Sequence, residues 1–352
     1  MDTKNFEQPL ESDLWIPKPK DGEKWETHTI HTHYFGFSVP EEKIGVFIYV
    51  RYLPVLDVNS GGVCVFQGID NVHFLDLEHM NYLNHMPYPV KDRNTISVAN
   101  GITLDFIEPG RKVRLTYKSK DEKVHFDVLQ TAVSPLFARA HVMPGEEEDG
   151  KKELTPGGTE QFMHCTGDLT LYGKTYKVDC YPARDRSWRQ VRTEDEQNAP
   201  PFGWTPMYFG PDLCFNYSGW EDPDKHPIWK GVYPVEEKSP FLFAWLLVDG
   251  KLRHAKRVSR EVTRYHPTLF SAMEQNIEVE DDQGAIWRFK GEAIAMAQLP
   301  SWPNFQIFDS VYKWTDEKGR VTHCAFQEAW WARFHRYRHG KTWEHIGLGK
   351  QE

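Results

Sequence analysis

Hydrophobic and polar residues alternate along much of this chain, in short runs that end at glycine, proline or aspartate. In the run KVRLTYKS, residues 112–119, the apolar side chains of Val113, Leu115 and Tyr117 occupy every second position. This period of two is typical of an antiparallel strand with one face in the core and the other in water. Runs rich in β-branched and aromatic residues, such as THTIHTHYFGFSV and KIGVFIYVRYL, predict further strands.

The second half of the chain also consists of short strand-like runs that end at turn residues. Three pairs of strand-like runs meet at two-residue turn signals, Asp249-Gly250, Gln283-Gly284 and Lys318-Gly319. In the first half, only the stretch LDLEHMNYLNHM favours a helix, and a short one. Strands at regular spacing with little helix predict an all-β sandwich or barrel.

The domain organisation follows from length and from one change in composition. A chain of 352 residues is too long for one ordinary core. The stretch MPGEEEDGKKELTPGG, residues 143–158, combines prolines, glycines and a run of acids, which is typical of a linker. The sequence therefore predicts an N-terminal arm at 1–26, a first β domain at 27–145, a linker at 146–158, a second β domain at 159–340 and a C-terminal tail at 341–352.

One hairpin predicts its own register. The stretch HCTGDLTLYGKTYKVDC places a two-residue turn at Tyr172-Gly173. This turn would bring hydroxyls, opposite charges and two thiols face to face across the strands: Thr170 with Thr175, Asp168 with Lys177, and Cys165 with Cys180. The apolar face is then Met163, Cys165, Leu169 and Leu171 with Tyr176, Val178 and Cys180, and a slip of one residue would scramble it. We expect that face to be core and the two cysteines to be free thiols.

The opposite face of the hairpin carries the candidate chemistry. Extended to its open end, the register sets His164 across from Tyr181 and Glu160 across from Asp185. Two carboxylates close together raise one carboxyl pKa, which makes an acid available at neutral pH. The alternative is a solvated polar face on which Asp185 is neutralised by Arg184 and Arg186, its neighbours in the crowded stretch CYPARDRSWRQVR. Both interpretations stay open at this point.

Charge and cysteine usage exclude several classes of function. The net charge of −9 argues against nucleic-acid binding, and there is no apolar run long enough to span a membrane as a helix. The acidic N-terminus does not resemble a secretory signal, which favours a cytoplasmic protein. Five scattered cysteines form no CxxC pair, and His31 and His33 lack the glutamate that a cupin metal site has shortly after them. We therefore expect no metal and no cofactor, and leave a homodimer open.

Aromatic residues are unusually frequent, at 14% of the chain with 13 tryptophans. Such rings fill cores, but this density also suits a cavity for a large apolar ligand. Ring faces in such a cavity would also stabilise a positively charged intermediate. In FQEAWWARF the two adjacent tryptophans point to opposite faces, and Glu328 shares a face with Trp330. The predicted substrate-binding residues are Tyr181, Trp188, Trp204, Tyr208, Trp245 and Trp331.

The stretch GTEQFMHCTGDLTLYGKTYKVDCYPARDRSW resembles a bacterial family of two-domain proteins of mostly unassigned function. Members carry EQ, a GxLxxxGxxY hairpin and a RDHSWGxR turn, and RVTHCAFQEAWW matches a closing strand of the family with an internal glutamate, here Glu328. The family is distantly related to carotenoid hydratases and fungal decalin-forming cyclases. The resemblance implies two tandem lipocalin-like, calycin-type antiparallel β-barrels packed together, with an apolar substrate between or inside them.

The resemblance to the hydratases also implies that Asp185 is the proton donor. At two positions, however, this chain differs from the family turn. Arg186 stands where the family turn has histidine, and Arg189 stands where it has glycine. If the histidine takes part in chemistry elsewhere in the family, His164 would have to substitute for it here.

These patterns predict a cofactor-independent hydratase, dehydratase or isomerase, a lyase or isomerase in reaction class, that moves a proton on a hydrophobic small molecule. A terpenoid, a steroid-like compound or a polyketide fits this expectation. The predicted catalytic residues are Asp185, Glu160, His164 and Glu328, with Arg184 and Arg186 tuning the charge of the acids. The alternatives are a carrier of hydrophobic ligands without turnover and a pericyclase that only shapes its substrate.

Overall fold

The computed structural model describes residues 7–138, 157–192, 200–221, 223, 225–233, 241–302 and 305–340. The chain divides into two compact units. Unit 1 is drawn from Met1–Gln67 and Leu77–Thr193, and unit 2 from Gly68–Asp76 and Glu194–Glu352. Strands dominate both, so the predicted all-β fold is confirmed.

Unit 1 is a curled antiparallel sheet of thirteen strands. The strands are β1 (Thr29–Val39), β2 (Ile44–Leu53), β3 (Val58–Gln67), β4 (His79–Pro87), β5 (Val90–Asp92), β6 (Thr95–Ser97), β7 (Ile102–Glu108), β8 (Lys112–Lys118), β9 (Val124–Ala132), β10 (Phe137–Ala138), β11 (Gly157–Leu171), β12 (Lys174–Cys180) and β13 (Ala183–Val191). Their order is β4-β3-β2-β1-β13-β11-β9-β8-β7-β6-β5, and β10 and β12 pair with β11 beside this path. Alternate residues of these strands, among them Phe35, Val63 and Leu115, form one hydrophobic core.

Unit 2 is a closed barrel of eight antiparallel strands. They are β14 (Phe202–Tyr208), β15 (Leu213–Trp220), β16 (Phe241–Val248), β17 (Lys251–Tyr265), β18 (Ala272–Asp281), β19 (Ile286–Trp302), β20 (Phe305–Asp316) and β21 (Val321–Trp331), followed by the helix α1 (Ala332–Arg338). Each strand pairs with the next, and β14 pairs with β21 to close the barrel. The interior is filled by a second hydrophobic core that includes Phe215, Trp229, Phe326 and Trp330. Short 3-10 helices lie at Leu10–Leu14, Pro40–Glu42, Phe74–Asp76 and Pro227–Trp229.

The predicted register of the hairpin with its turn at Tyr172-Gly173 is confirmed. Cys165 lies opposite Cys180, Asp168 opposite Lys177 and Thr170 opposite Thr175. Its apolar face lies in the core of unit 1, and both cysteines are free and buried. The three turns of the second half also join paired strands at the predicted dipeptides.

The predicted domain boundaries are wrong in one important respect. We placed β11, β12 and β13 in a second domain beginning at residue 159, but they pair with β9 and β1 and complete the core of unit 1. The division falls instead near Thr193, and the segment Gly68–Asp76 joins unit 2, where Asn71 Nδ2 donates to the carbonyl of Met296 at 3.0 Å. Long-range strand pairing decided this, and a change in composition does not report it. The predicted linker lies almost entirely outside the described residues, as does the tail at 341–352.

Two smaller predictions also fail. The stretch expected to form a helix, LDLEHMNYLNHM, contains most of strand β4, whose pairing with β3 outweighs its weak helical pattern. The N-terminal arm is not free, because Ser12 and Asp13 are buried in unit 1.

Candidate functional site

Arg184 and Arg186, two of the arginines in the stretch CYPARDRSWRQVR, bind the N-terminal segment. The Arg184 guanidinium donates to both carboxylate oxygens of Asp13, at 3.0 and 2.8 Å, and this ion pair is almost fully buried. It also donates to Gln161 Oε1. Arg186 donates to backbone carbonyls, including that of Thr32 at 3.0 Å and that of Trp15. These contacts anchor the N-terminal arm to β13. Arg184 and Arg186 therefore bind groups other than Asp185, whose charge they were expected to affect.

Trp188 belongs to the same structural face. Its ring is 2% exposed and meets the ring of Trp15 edge-on at 5.1 Å. A side chain at Gly157 would collide with this indole, because an added Cβ would lie 2.4 Å from it. Trp188 therefore packs the arm against the sheet, and its contacts are those of a core residue.

Arg189 stands where the family has glycine, and its backbone conformation explains why glycine is favoured there. Arg189 has a φ of 50°, in the left-handed region that residues other than glycine rarely adopt. Its backbone N–H donates to His31 Nδ1 at 2.8 Å, and its guanidinium lies 4.2 Å from the centre of the Trp25 ring. The departure at Arg189 is thus accommodated by local contacts.

Asp185 points away from Arg184 and Arg186, on the opposite face of β13. It lies directly across from Glu160 on one side and from Tyr34 on the other. Glu160 is 2% exposed and Asp185 is half-buried. Along the same face, the ring of Tyr34 lies 5.4 Å from that of Phe47. The predicted meeting of Glu160 and Asp185 is confirmed, and it occurs beside aromatic rings.

His164 and Tyr181 are not part of this acid pair. Their rings stack at 4.6 Å, and His164 Nε2 lies 2.7 Å from an oxygen of Asp179, whose side chain is 75% exposed. His164 is four residues from Glu160 on β11, which corresponds to about 13 Å along a strand. The structure therefore places this predicted site residue at the surface, with Asp179 as its partner.

Glu328 lies inside the barrel of unit 2. It shares its face with Trp330, as predicted, and both are fully buried. Glu328 Oε1 accepts from Arg260 at 3.0 Å and Oε2 accepts from the backbone N–H of Ala272 at 2.9 Å. Burial and the nearby charge of Glu221, against the opposing charge of Arg260, raise the pKa of Glu328 to about 8.

The predicted aromatic residues of unit 2 gather on the outer face of the barrel wall. Trp204 lies across from Ser218 and Gln327, and its indole N–H donates to Asn216 Oδ1 at 3.0 Å. Trp245 lies directly across from Asn216 and is 1% exposed. Tyr208 and Trp331, both half-buried, have the strand parity of this face and also pack against the barrel core. We call the face formed by Trp204, Tyr208, Asn216, Trp245, Asp309, Gln327 and Trp331 the Asp309 wall.

Asp309 is the acid of this wall, and it was not among the residues predicted from the sequence. It lies directly opposite Gln327 and is 3% exposed. Burial raises the pKa of Asp309 to about 7, against a smaller opposing effect of the neighbouring Gln327 side chain. Asp309 Oδ1 makes no hydrogen bond with any described residue. The available signal was a lone acid in the apolar run FQIFDSVYKW, on the face opposite Phe308.

Three further observations concern metal sites, the predicted histidines and membrane spans. Within the described residues no cluster of three or more histidine, cysteine or acidic side chains could hold a metal ion. His33 is buried with Nδ1 2.9 Å from the hydroxyl of Tyr52 and Nε2 2.9 Å from the carbonyl of Asp13. No helix in the described part of the chain is long and apolar enough to cross a membrane.

A closed antiparallel barrel in one unit and a curled antiparallel sheet in the other define an all-β protein of the β-barrel class. The chain belongs to the family described as a domain of unknown function, DUF7064, whose model matches residues 19–332. The resemblance to a family of unassigned function is thereby confirmed. No curated protein matches the sequence significantly.

Solved structures with a similar fold share little sequence with this chain. A Nitrosomonas europaea protein provisionally called AttH is 10% identical, with a TM-score of 0.54 over 89% of this chain and 99% of that one. Kievitone hydratase from Nectria haematococca is 12% identical, with a TM-score of 0.48 over 93% of each chain. CghA is 12% identical, with a TM-score of 0.49 over 90% of this chain and 91% of its own. At these identities the likeness concerns the fold.

Proposed function

We propose that this protein is an enzyme that transfers a proton to or from a hydrophobic small molecule at the Asp309 wall. The observation that carries the proposal is a buried carboxyl whose pKa lies at about 7, opposite Gln327, which in turn lies opposite Trp204. General acid–base catalysis is most effective when the pKa of the catalytic group lies near the working pH. Asp309 meets that condition, and its Oδ1 is not engaged by any described residue.

The rings of the wall support an apolar substrate. Trp204 and Trp245 supply large apolar rings, 7% and 1% exposed, and Asn216 fixes the Trp204 indole by its hydrogen bond. Protonation of a carbon–carbon double bond leaves a cationic intermediate, which aromatic ring faces stabilise. Hydration, dehydration or isomerisation of an alkene or enone is therefore the reaction class that the wall suits.

The acid pair Glu160–Asp185 is the second candidate for the proton donor. The register that sets the two carboxyl groups directly opposite each other supports it, as does the resemblance of the turn to that of the hydratases. We therefore propose that Asp185 and Asp309 be tested in the same assay. Arg184 and Arg186 take no part in this proposal, because they bind the N-terminal segment.

The experiment uses the full chain and substrates that react by proton transfer, either alone or with addition of water. The protein is incubated in D2O with androst-5-ene-3,17-dione and with unsaturated terpenoid alcohols, and deuterium uptake and addition of water are followed by mass spectrometry. We expect Asp309→Asn to reduce turnover by roughly 10²- to 10⁴-fold while ligand quenching of tryptophan fluorescence persists. The matched control is Asp282→Asn, an exposed carboxyl in a turn of the same barrel.

The pH profile gives the sign of the transfer. If Asp309 acts as an acid, kcat/KM falls as the pH rises through about 7, and this dependence disappears in Asp309→Asn. Loss of turnover in Asp185→Asn but not in Asp309→Asn would move the chemistry to the acid pair of unit 1. Binding without deuterium uptake by any substrate would contradict the proposal and favour a carrier.

A further inference from the structure

A second acid cluster lies inside the barrel, apart from the Asp309 wall. Glu221, at the end of β15, is fully buried, as is Glu328. The two carboxyl groups lie within hydrogen-bonding range of each other. Glu221 Oε1 has no hydrogen-bond donor among the described residues. Two ionised carboxylates cannot donate to each other, so the geometry is satisfied when one proton lies between them.

The charge of the cluster agrees with one shared proton. Arg260 donates to Glu328 at 3.0 Å and is itself 1% exposed, so it neutralises one carboxylate of the pair. With the shared proton, the three side chains carry no net charge. Without it, a net negative charge would lie in the barrel interior, where an uncompensated charge is costly.

The acid pair also holds a chain segment in place. Glu221 Oε2 accepts from the indole N–H of Trp229 at 2.5 Å and from the hydroxyl of Tyr265 at 2.7 Å. The backbone carbonyl of Glu221 accepts from the hydroxyl of Tyr233 at 2.9 Å. Residues 225–233, which we call the Trp229 segment, therefore depend on Glu221, whose partner Glu328 belongs to the barrel wall.

Trp229 occupies the interior of the barrel. It is fully buried, and its ring lies 5.3 Å from that of Trp330 and 6.2 Å from that of Phe334 in α1. Release of the Trp229 segment would thus open an interior lined with aromatic rings. We propose that the proton shared by Glu221 and Glu328 latches the Trp229 segment inside the barrel and that loss of this proton releases it.

Two neighbouring tyrosines and Arg260 have pKa values shifted away from neutrality. Burial raises the pKa values of Tyr265 and Tyr312 far above neutral, and the carboxylates around Arg260 raise the pKa of that guanidinium despite its burial. His226 Nε2 accepts from the backbone N–H of Val262 at 3.2 Å, which requires a neutral ring. The other titratable or charged groups facing the cluster are Tyr217 and, over the rings of Trp229 and Tyr265, Arg338. The pKa of about 8 at Glu328 therefore sets the midpoint of the latch.

The test observes Trp229 directly. The full chain is labelled with 5-fluorotryptophan, and the resonance of Trp229 is assigned by its loss in Trp229→Phe. We expect this resonance to shift with a midpoint near pH 8 in the wild-type chain. Amide exchange of residues 225–233, corrected for the intrinsic rate, should be roughly tenfold faster above the midpoint than below it.

Variants separate the latch from an unrelated pH effect. Glu328→Gln removes the titrating proton and should abolish the shift, and Glu221→Gln should do the same if one of the two fails to fold. The control is Glu274→Gln, a carboxyl of β18 paired with Arg264 at the surface, which should keep the transition. A Trp229 resonance that ignores pH, or that shifts with the same midpoint in both acid variants, would overturn the proposal.

Discussion

At the residue scale, strand alternation decides which charges interact. Arg184, Asp185 and Arg186 are consecutive, and their order in the sequence suggested that the arginines neutralise the acid. In β13 they point to opposite faces, so the arginines meet the N-terminal segment and the acid meets Glu160. Neighbours in a strand sequence are therefore poor guides to electrostatic partners, whereas residues directly across the ladder are good ones.

The buried ion pair of Asp13 and Arg184 gives a prediction about stability. Asp13→Asn leaves the Arg184 charge buried without its counter-charge, and breaking such a pair typically costs about 3–5 kcal/mol. Asp13 also accepts from the backbone N–H of Gly110 at 2.6 Å, which adds to the loss. Urea unfolding should show a clearly lower midpoint. The control is Asp57→Asn at the exposed pair with Lys18, which should leave the midpoint nearly unchanged.

At the element scale, the hairpin β11–β12 was predictable and the strand β4 was not. The partners in the hairpin are close in the chain, so the turn at Tyr172-Gly173 and the alternation specify the register together. The stretch that forms β4 pairs with β3 across the segment Gly68–Asp76, which belongs to the other unit. No local pattern could report that pairing, because the partner strand supplies the hydrogen bonds.

The turn of the hairpin can be tested by one substitution. Gly173 has a φ of 92°, and nothing lies within 4 Å of an added Cβ, so Gly173→Ala changes the backbone preference alone. We expect a loss of about 1–2 kcal/mol in the free energy of unfolding. Tyr172→Asn is the companion variant, because Tyr172 also has a positive φ, at 50°, which asparagine tolerates better. Equal stability of Gly173→Ala and the wild type would contradict this account of the turn.

At the scale of the whole molecule, two buried acids link folding to pH. The pKa values of Asp309 and Glu328, about 7 and about 8, lie above those of the unfolded chain, about 4. The folded state therefore holds protons that the unfolded state has released. The stabilisation from these groups is complete at low pH, falls as the pH rises between those limits, and levels off above about pH 8.

This linkage predicts a difference between the wild-type chain and its neutral variants. Unfolding by urea should give a smaller free energy at pH 9 than at pH 5 for the wild type, and Asp309→Asn should reduce that difference. Asp282→Asn, exposed in a turn, should follow the wild type. If Asp309→Asn retained the whole difference between the two pH values, the raised pKa assigned to Asp309 would be wrong.

The sequence by itself determined the all-β texture, the turns and the register of the hairpin, because these depend on alternation and on partners a few residues apart. It also singled out Trp204, Tyr208, Trp245 and Trp331, whose role in binding stays a prediction. The tertiary structure alone decided which sheet the hairpin joins, which acids are buried, and that Glu221 meets Glu328. Burial and proton sharing arise from residues distant in the chain, so a carboxyl that looks ordinary in sequence becomes an acid with a pKa near neutrality only when the barrel closes around it.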